Sequence, residues 1–126
     1  MENARIEPLD RFSDERGWVS EVYSGELGAQ LQNIHLGSME PGVVRGNHRH
    51  NESREWIVFL SVPIMIRLGT PADYVEQTIE EPSVVSLPPG VAHAFKNTGK
   101  SVAYFTAYRD TRYNEDNPDA ETIELL

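Results

Sequence analysis

Hydrophobic positions in this chain come in short β-rich runs, each about the length of a strand, cut apart by Gly, Pro, Asn and Asp. "GWVSEVYS" alternates, and "QNIHLGSM", "EWIVFLSV", "IMIRLG", "PSVVSLP", "HAFKN" and "SVAYFTAYRD" follow it. The breaks are "MEPG", "HNES", "GTPAD", "EEP", "LPPG" and "NTGK". Helical periodicity is confined to "SGELGAQLQ", which predicts a short helical turn. Many short strands at regular spacing predict an all-β sandwich or barrel whose double sheet protects its own edges. The acidic tail "YNEDNPDAETIELL" starts irregular and is expected to end as a packed strand, because Ile123, Leu125 and Leu126 need cover.

Composition narrows this only a little. The 126 residues are expected to form one domain, 1–126, with a core of its own. No run of about eighteen apolar residues is present, so no membrane span is expected. "MENARIEPLD" lacks the basic-then-apolar layout of a signal peptide, and a cytoplasmic protein is the expectation. The absence of cysteine removes disulfides and thiolate chemistry. A net charge of −9 argues against nucleic acid or an anionic membrane as partner. The eleven basic residues are nine Arg and two Lys, and the Arg fork suits carboxylates and phosphates. Three of these, Arg45, Arg49 and Arg54, crowd around a histidine pair. Arg54 reads as ordinary surface charge, whereas Arg45 reads as a ligand contact.

That pair, in "PGVVRGNHRHNESREW", raises the main chemical question. Period-two geometry puts His48 and His50 on one face of a strand. Glu55 opens the apolar run "EWIVFL", and a buried carboxylate there needs a partner. It requires "NESR" to turn the chain; Glu52, which keeps the histidine parity, is the weaker rival. His93 follows the Pro-Pro-Gly turn of "PPGVAHAFKN", in phase with Phe95 and Asn97. Three histidines and a carboxylate converging from two hairpins suit a divalent transition metal and leave positions open for substrate. Zinc, iron, manganese and nickel are not separated by such a donor set. A ring nitrogen has one lone pair, so the nitrogen that ligates a metal cannot also act as a base. His35 has no partner pattern, and Trp56, Phe59, Phe95 and Phe105 read as core.

The spacing G-x5-H-x-H-x4-E from Gly42 to Glu55 resembles the first cupin motif, with Val62 where a closing glycine is usual. P-x-G-x2-H-x3-N from Pro88 to Asn97 resembles the second, with Pro82 where a leading glycine is usual. The resemblance implies a cupin jelly-roll β-barrel, the double-stranded β-helix. "DERGWVSEVY" is similar to the D-x-R-G-x-x-x-E signature of the dTDP-4-dehydrorhamnose 3,5-epimerase family. "VVRGNHRH" and "LPPGVAHAF" resemble two further segments of that family. By that resemblance Arg16 and Glu21 would contact a nucleotide, Arg45 the phosphate or sugar, and His48 would be the base. Tyr104 or Tyr108 would protonate the opposite face of the sugar, with Tyr108 slightly favoured.

The departures point to shorter relatives. The longer epimerases carry glutamine where this chain has His50, and an aspartate beside the base in a C-terminal segment whose counterpart is not expected here. Sugar-nucleotide 3,4-ketoisomerases share R-G-x-H-x-H, and the metal-binding cupin domain of capsular-polysaccharide synthesis proteins shares R-G-N-H-x-H-x4-E. The second pattern matches this chain best, and "YRDTRYNEDNPDAETIEL" resembles its Pro-Asp-containing tail. The resemblance implies an isomerase of a 4-keto-6-deoxy sugar nucleotide in cell-surface polysaccharide synthesis. A metal-dependent oxygenase or a non-catalytic sugar-binding cupin would use the same ligands. Phe12, Trp18, Val22 and Tyr23 lie in the polar context of "RFSDERGWVSEVY" and lead to the expectation of a homodimer.

Overall fold

The computed structural model describes residues 4–22, 29–112, 114–116 and 118–126. Its strands are β1 (Arg5–Pro8), β2 (Phe12–Asp14), β3 (Gly17–Val19), β4 (Asn33–Met39), β5 (Val44–Arg49) and β6 (Glu55–Phe59). They continue with β7 (Ile64–Gly69), β8 (Tyr74–Ile79), β9 (Ser83–Leu87), β10 (Ala92–Asn97), β11 (Ala103–Arg109) and β12 (Glu121–Thr122). One five-stranded sheet runs β1-β9-β6-β11-β4, a second β12-β5-β10-β7-β8, and β2 and β3 form a separate hairpin. Every strand pair is antiparallel.

Alternation builds the core. In β7 Ile64, Ile66 and Leu68 are buried while Met65 and Arg67 are less so; in β9 Ser83, Val85 and Leu87 are buried. Ile57, Phe59, Val85 and Ala107 from the first sheet pack with Ile64, Ile66, Leu68 and Phe95 from the second. The sheets therefore face each other across one apolar layer. The Phe59 and Phe95 rings meet at 5.0 Å between centroids, in an edge-to-face arrangement. Each such side chain contributes roughly 1.5–3 kcal/mol by leaving water. β6 departs from alternation: all five residues of "EWIVF" are buried, so this central strand is covered on both faces.

The all-β expectation holds, with local differences. Among the described residues of "GWVSEVYS", 17–22, the strand runs from Gly17 to Val19, and the helical turn expected in "SGELGAQLQ" falls mainly on residues outside those described. The pattern did not single out β8, because only Ile79 of its six residues is buried and no inward apolar stripe marks it. The tail packs as expected. β12 pairs with β5, and Leu125 closes a small apolar cluster with Ala92 and Ala94, against which Ile123 and Leu126 also pack.

A bulge in β5 governs everything that follows. His93 pairs with His48, but Ala94 pairs with Gly46, so Asn47 is the extra residue. Gly46 has φ +92° and Asn47 φ +54°, a left-handed pair that Gly and Asn accept most readily. A side chain at Gly46 would also collide, since its Cβ would lie 2.7 Å from the carbonyl oxygen of His93.

Candidate metal centre and substrate cavity

His48 comes from β5 and His50 directly follows its last residue, Glu55 heads β6, and His93 stands in β10. Their ligand atoms all lie within 4.8 Å of one another. Nε2 of His50 and Nε2 of His93 each stand 3.4 Å from Oε1 of Glu55. The His48 ring closes the group at 4.8 Å from His50 and 4.6 Å from His93, centroid to centroid. His93, Glu55 and His50 are buried, whereas His48 is only partly so.

The other ring nitrogens fix which lone pairs point inward. His50 Nδ1 meets the backbone oxygen of Asp119, and His93 Nδ1 meets that of Val91 at 3.2 Å. A carbonyl can only accept, so both Nδ1 atoms carry a proton, and each ring in its neutral form presents an Nε2 lone pair to the centre. Glu55 Oε2 accepts from Nε of Arg109 at 3.2 Å, which leaves Oε1 facing the histidines. Nε2 of His50, Oε1 of Glu55 and Nε2 of His93 are buried without a hydrogen-bond partner. Buried polar atoms are seldom left so. Three converging orphans with nitrogen and oxygen donors fit a divalent transition metal, each His held by a second-nitrogen contact as metal-bound imidazoles are.

Electrostatics agree with a cation-seeking centre. Burial alone would raise the Glu55 carboxyl, yet His50, His93 and Arg109 hold it down at about 2. Burial pushes His93 down to about 4 against the pull of Glu55. His48 is also lowered, first by burial and then by the charge of His50. His50 goes the other way: burial opposes its charged form, but Glu55 and the Asp119 carbonyl outweigh that and raise it.

Above this centre lies a cavity of about 470 Å³ lined by His35, Arg45, His48, Glu55, His93 and Arg109 among polar groups, with Ile57, Phe95 and Phe105 as apolar wall. Arg45 pairs with Phe95 in register and donates through Nε to the Ser38 carbonyl at 2.9 Å. The bulge is what allows this. Arg45 and His48 are three residues apart and would face opposite ways on a regular strand; the extra residue turns both inward.

Not every expected residue converges. Arg16 sits at the exposed β2–β3 turn, paired with Asp14. Tyr104 is 57% exposed. β11 turns Phe105, Ala107 and Arg109 toward the cavity, so Tyr104 and Tyr108 stand on its other face, away from the histidines. Tyr108 and Glu21 instead line a larger hollow of about 790 Å³ on the outer side of the first sheet, with Val58 and Thr106. Two cavity residues were missed from sequence, His35 and Arg109. Arg109 carried a signal: it is in phase with Phe105 and Ala107, an odd place for a cation unless it meets a carboxylate.

The sequence model of the polysaccharide biosynthesis C-terminal domain family matches residues 12–121. The chain belongs to that family. Solved structures with the same fold include the capsular polysaccharide assembling protein CapF from Staphylococcus aureus, at 22% identity and a TM-score of 0.68. That match covers 93% of this chain and 33% of CapF, so the chain spans about a third of that protein. A dTDP sugar isomerase from Desulfovibrio desulfuricans matches with a TM-score of 0.81 at 18% identity, over 98% of this chain and 85% of its own. A mutant of the 3,4-ketoisomerase QdtA from Thermoanaerobacterium thermosaccharolyticum, in complex with TDP-4-keto-6-deoxyglucose, matches at 0.78 and 16% identity. That match covers 96% of this chain and 88% of QdtA. None of the curated proteins matches the sequence. Among the described residues no helix is long and apolar enough to cross a membrane.

Proposed function

We propose that this member of the polysaccharide biosynthesis family is an isomerase or epimerase of a 4-keto-6-deoxy sugar nucleotide, with a divalent metal held by His48, His50, Glu55 and His93. The observation that carries the reading is the set of three buried, partnerless donor atoms at the floor of a cavity whose walls hold Arg45 and Arg109. The likeness to a ketoisomerase in complex with a keto-sugar nucleotide supports the substrate class.

When bound, such an ion supplies Lewis acidity to a carbonyl oxygen. The chain's own residues supply the rest. Arg45 presents a fork toward the cavity that suits the diphosphate, so binding far from the reacting carbon provides orientation. Ile57, Phe95 and Phe105 line the sugar's side of the cavity and exclude water, which strengthens every polar contact inside. Moving a proton from the carbon beside the ketone needs a neutral base within reach. With His48, His50 and His93 serving as ligands, His35 is the chain's one remaining histidine, and it lines the same cavity. Burial lowers its pKa, which keeps it neutral near pH 7. We therefore assign the proton-taking role to His35 and a ligand role to His48.

Incubation with TDP-4-keto-6-deoxyglucose in heavy water tests the reading. Exchange of the proton next to the ketone, in protein whose metal content is near stoichiometric by elemental analysis, is the expected result. His35→Asn should lose exchange by about 100-fold or more while keeping its metal. His48→Ala should lose both. If His48→Ala keeps its metal and loses exchange, His48 is the base instead. Oxygen uptake without exchange would establish an oxygenase, and binding without either reaction a recognition module.

A further inference from the structure

One residue outside the cluster touches both the ring of a ligand and the loop that joins two ligands. The backbone oxygen of Asp119 accepts from His50 Nδ1. Its carboxylate accepts from the next three backbone amides: Asn51 at 2.7 Å, Glu52 at 3.0 Å and Ser53 at 2.7 Å. It also accepts from the Ser53 hydroxyl at 2.8 Å, and that hydroxyl meets Thr111. Residues 51–53 are the turn that carries the chain from His50 to Glu55. The remainder of the tail is tied to the same strand: Glu121 takes a hydrogen bond from Arg49, and Asn47 Oδ1 accepts from the amides of Leu125 and Leu126.

We infer that Asp119 is a positioning residue of the metal centre, holding the His50 ring and the 51–53 turn so that His50 and Glu55 converge. This rests on the metal reading above. The main-chain contact sets the tautomer and aim of His50, and the side chain sets the path between the two ligands. Seating of 118–126 and occupancy of the centre are then coupled. By linkage, whatever factor the seated tail adds to metal affinity, bound metal adds to the stability of the seated tail.

Metal-free protein titrated with zinc against a competing chelator tests this, for wild type, Asp119→Ala, Asp119→Asn and Glu121→Gln, each checked for folding by circular dichroism. Asp119→Ala keeps the main-chain contact to His50 and removes the carboxylate that holds the turn; changing an outer partner of a metal ligand costs about 10–100-fold in metal affinity, and a loss in that range is expected. Asp119→Asn keeps one acceptor oxygen and should recover part of it. Glu121→Gln, which loosens the same tail and reaches the turn only through the Asn51 side chain, not through His50 or the backbone amides of 51–53, should stay within about threefold of wild type. The cobalt-loaded visible spectrum should change in Asp119→Ala alone. Zinc should slow amide exchange across 118–126 in wild type more than in Asp119→Ala. Wild-type zinc affinity and cobalt spectrum in a folded Asp119→Ala would overturn the inference, as would equal losses in Asp119→Ala and Glu121→Gln. Wild type that binds no zinc would instead remove the metal reading, and this inference with it.

Discussion

At the scale of single residues, protons decide how the metal-free centre behaves. Glu55 is held at about 2 in the folded chain against an ordinary 4.5, so its stabilising contribution is present above that ordinary value and lost as pH falls toward 2. His93 is held at about 4 against 6.5, so its contribution is lost as pH falls from 6.5 to 4. His50 is raised, and its contribution runs the opposite way: present below 6.5 and lost as pH climbs through the higher folded value. Thermal unfolding of metal-free protein should therefore show stability dropping in two acid steps, each on the order of 3 kcal/mol. A flat profile from pH 6.5 to 3 would count against the buried pairings. Gly37 offers a second test. A Cβ there would lie 2.3 Å from Cζ of Phe105, so Gly37→Ala must push the ring into the cavity. A loss of about 1–3 kcal/mol in urea unfolding is expected, with weaker substrate binding. The four proposed ligands were legible in sequence because parity and turn residues alone bring them together. Tyr104 and Tyr108 were not: their mutual phase was right, but phase alone does not say which face of β11 is inside.

At the scale of elements, the Asn47 side chain clamps the last residues of the tail, beside Arg67, whose Nη1 donates to the Leu125 carbonyl at 2.7 Å. Asn47 Oδ1 accepts from the amides of Leu125 and Leu126, and Nδ2 donates to the Leu126 carbonyl at 3.2 Å. Asn47→Gly keeps the left-handed backbone and removes only the clamp, which should cost about 1–3 kcal/mol. Asn47→Ala adds the strain of φ +54° and should be worse by about 1 kcal/mol. Equal stability of the two variants, measured by urea unfolding, would show that the backbone conformation relaxes. The strands themselves were readable where an apolar stripe faced the core, as in β7 and β9, and unreadable in β8, which buries only Ile79. Asp119 was invisible for a different reason. Its partners lie 66 to 69 positions away in the chain, and no local pattern records such a contact.

At the scale of the molecule, apolar side chains are left on the outer surface of the first sheet and on the hairpin. Leu36 is 76% exposed, Phe12 71%, Val19 64% and Ile34 62%. A homodimer that covers them is the expected state, to be read by light scattering at micromolar concentration; a monomer there would remove the expectation. Zinc at about one hundred times its dissociation constant should stabilise the fold by about 2.7 kcal/mol, measured as a shift in the unfolding midpoint. The bulge at Asn47 has a consequence for how such a chain can change over time. Substitution on either side of it alters one group, but a change in residue count does not stay local. Removing Asn47 would restore a regular strand and turn Arg45 outward if the histidines stay in place, or the histidines outward if Arg45 does. Related sequences should therefore keep the length of this segment, since the proposed binding arginine and the proposed metal ligands share a cavity only while one residue is left unpaired.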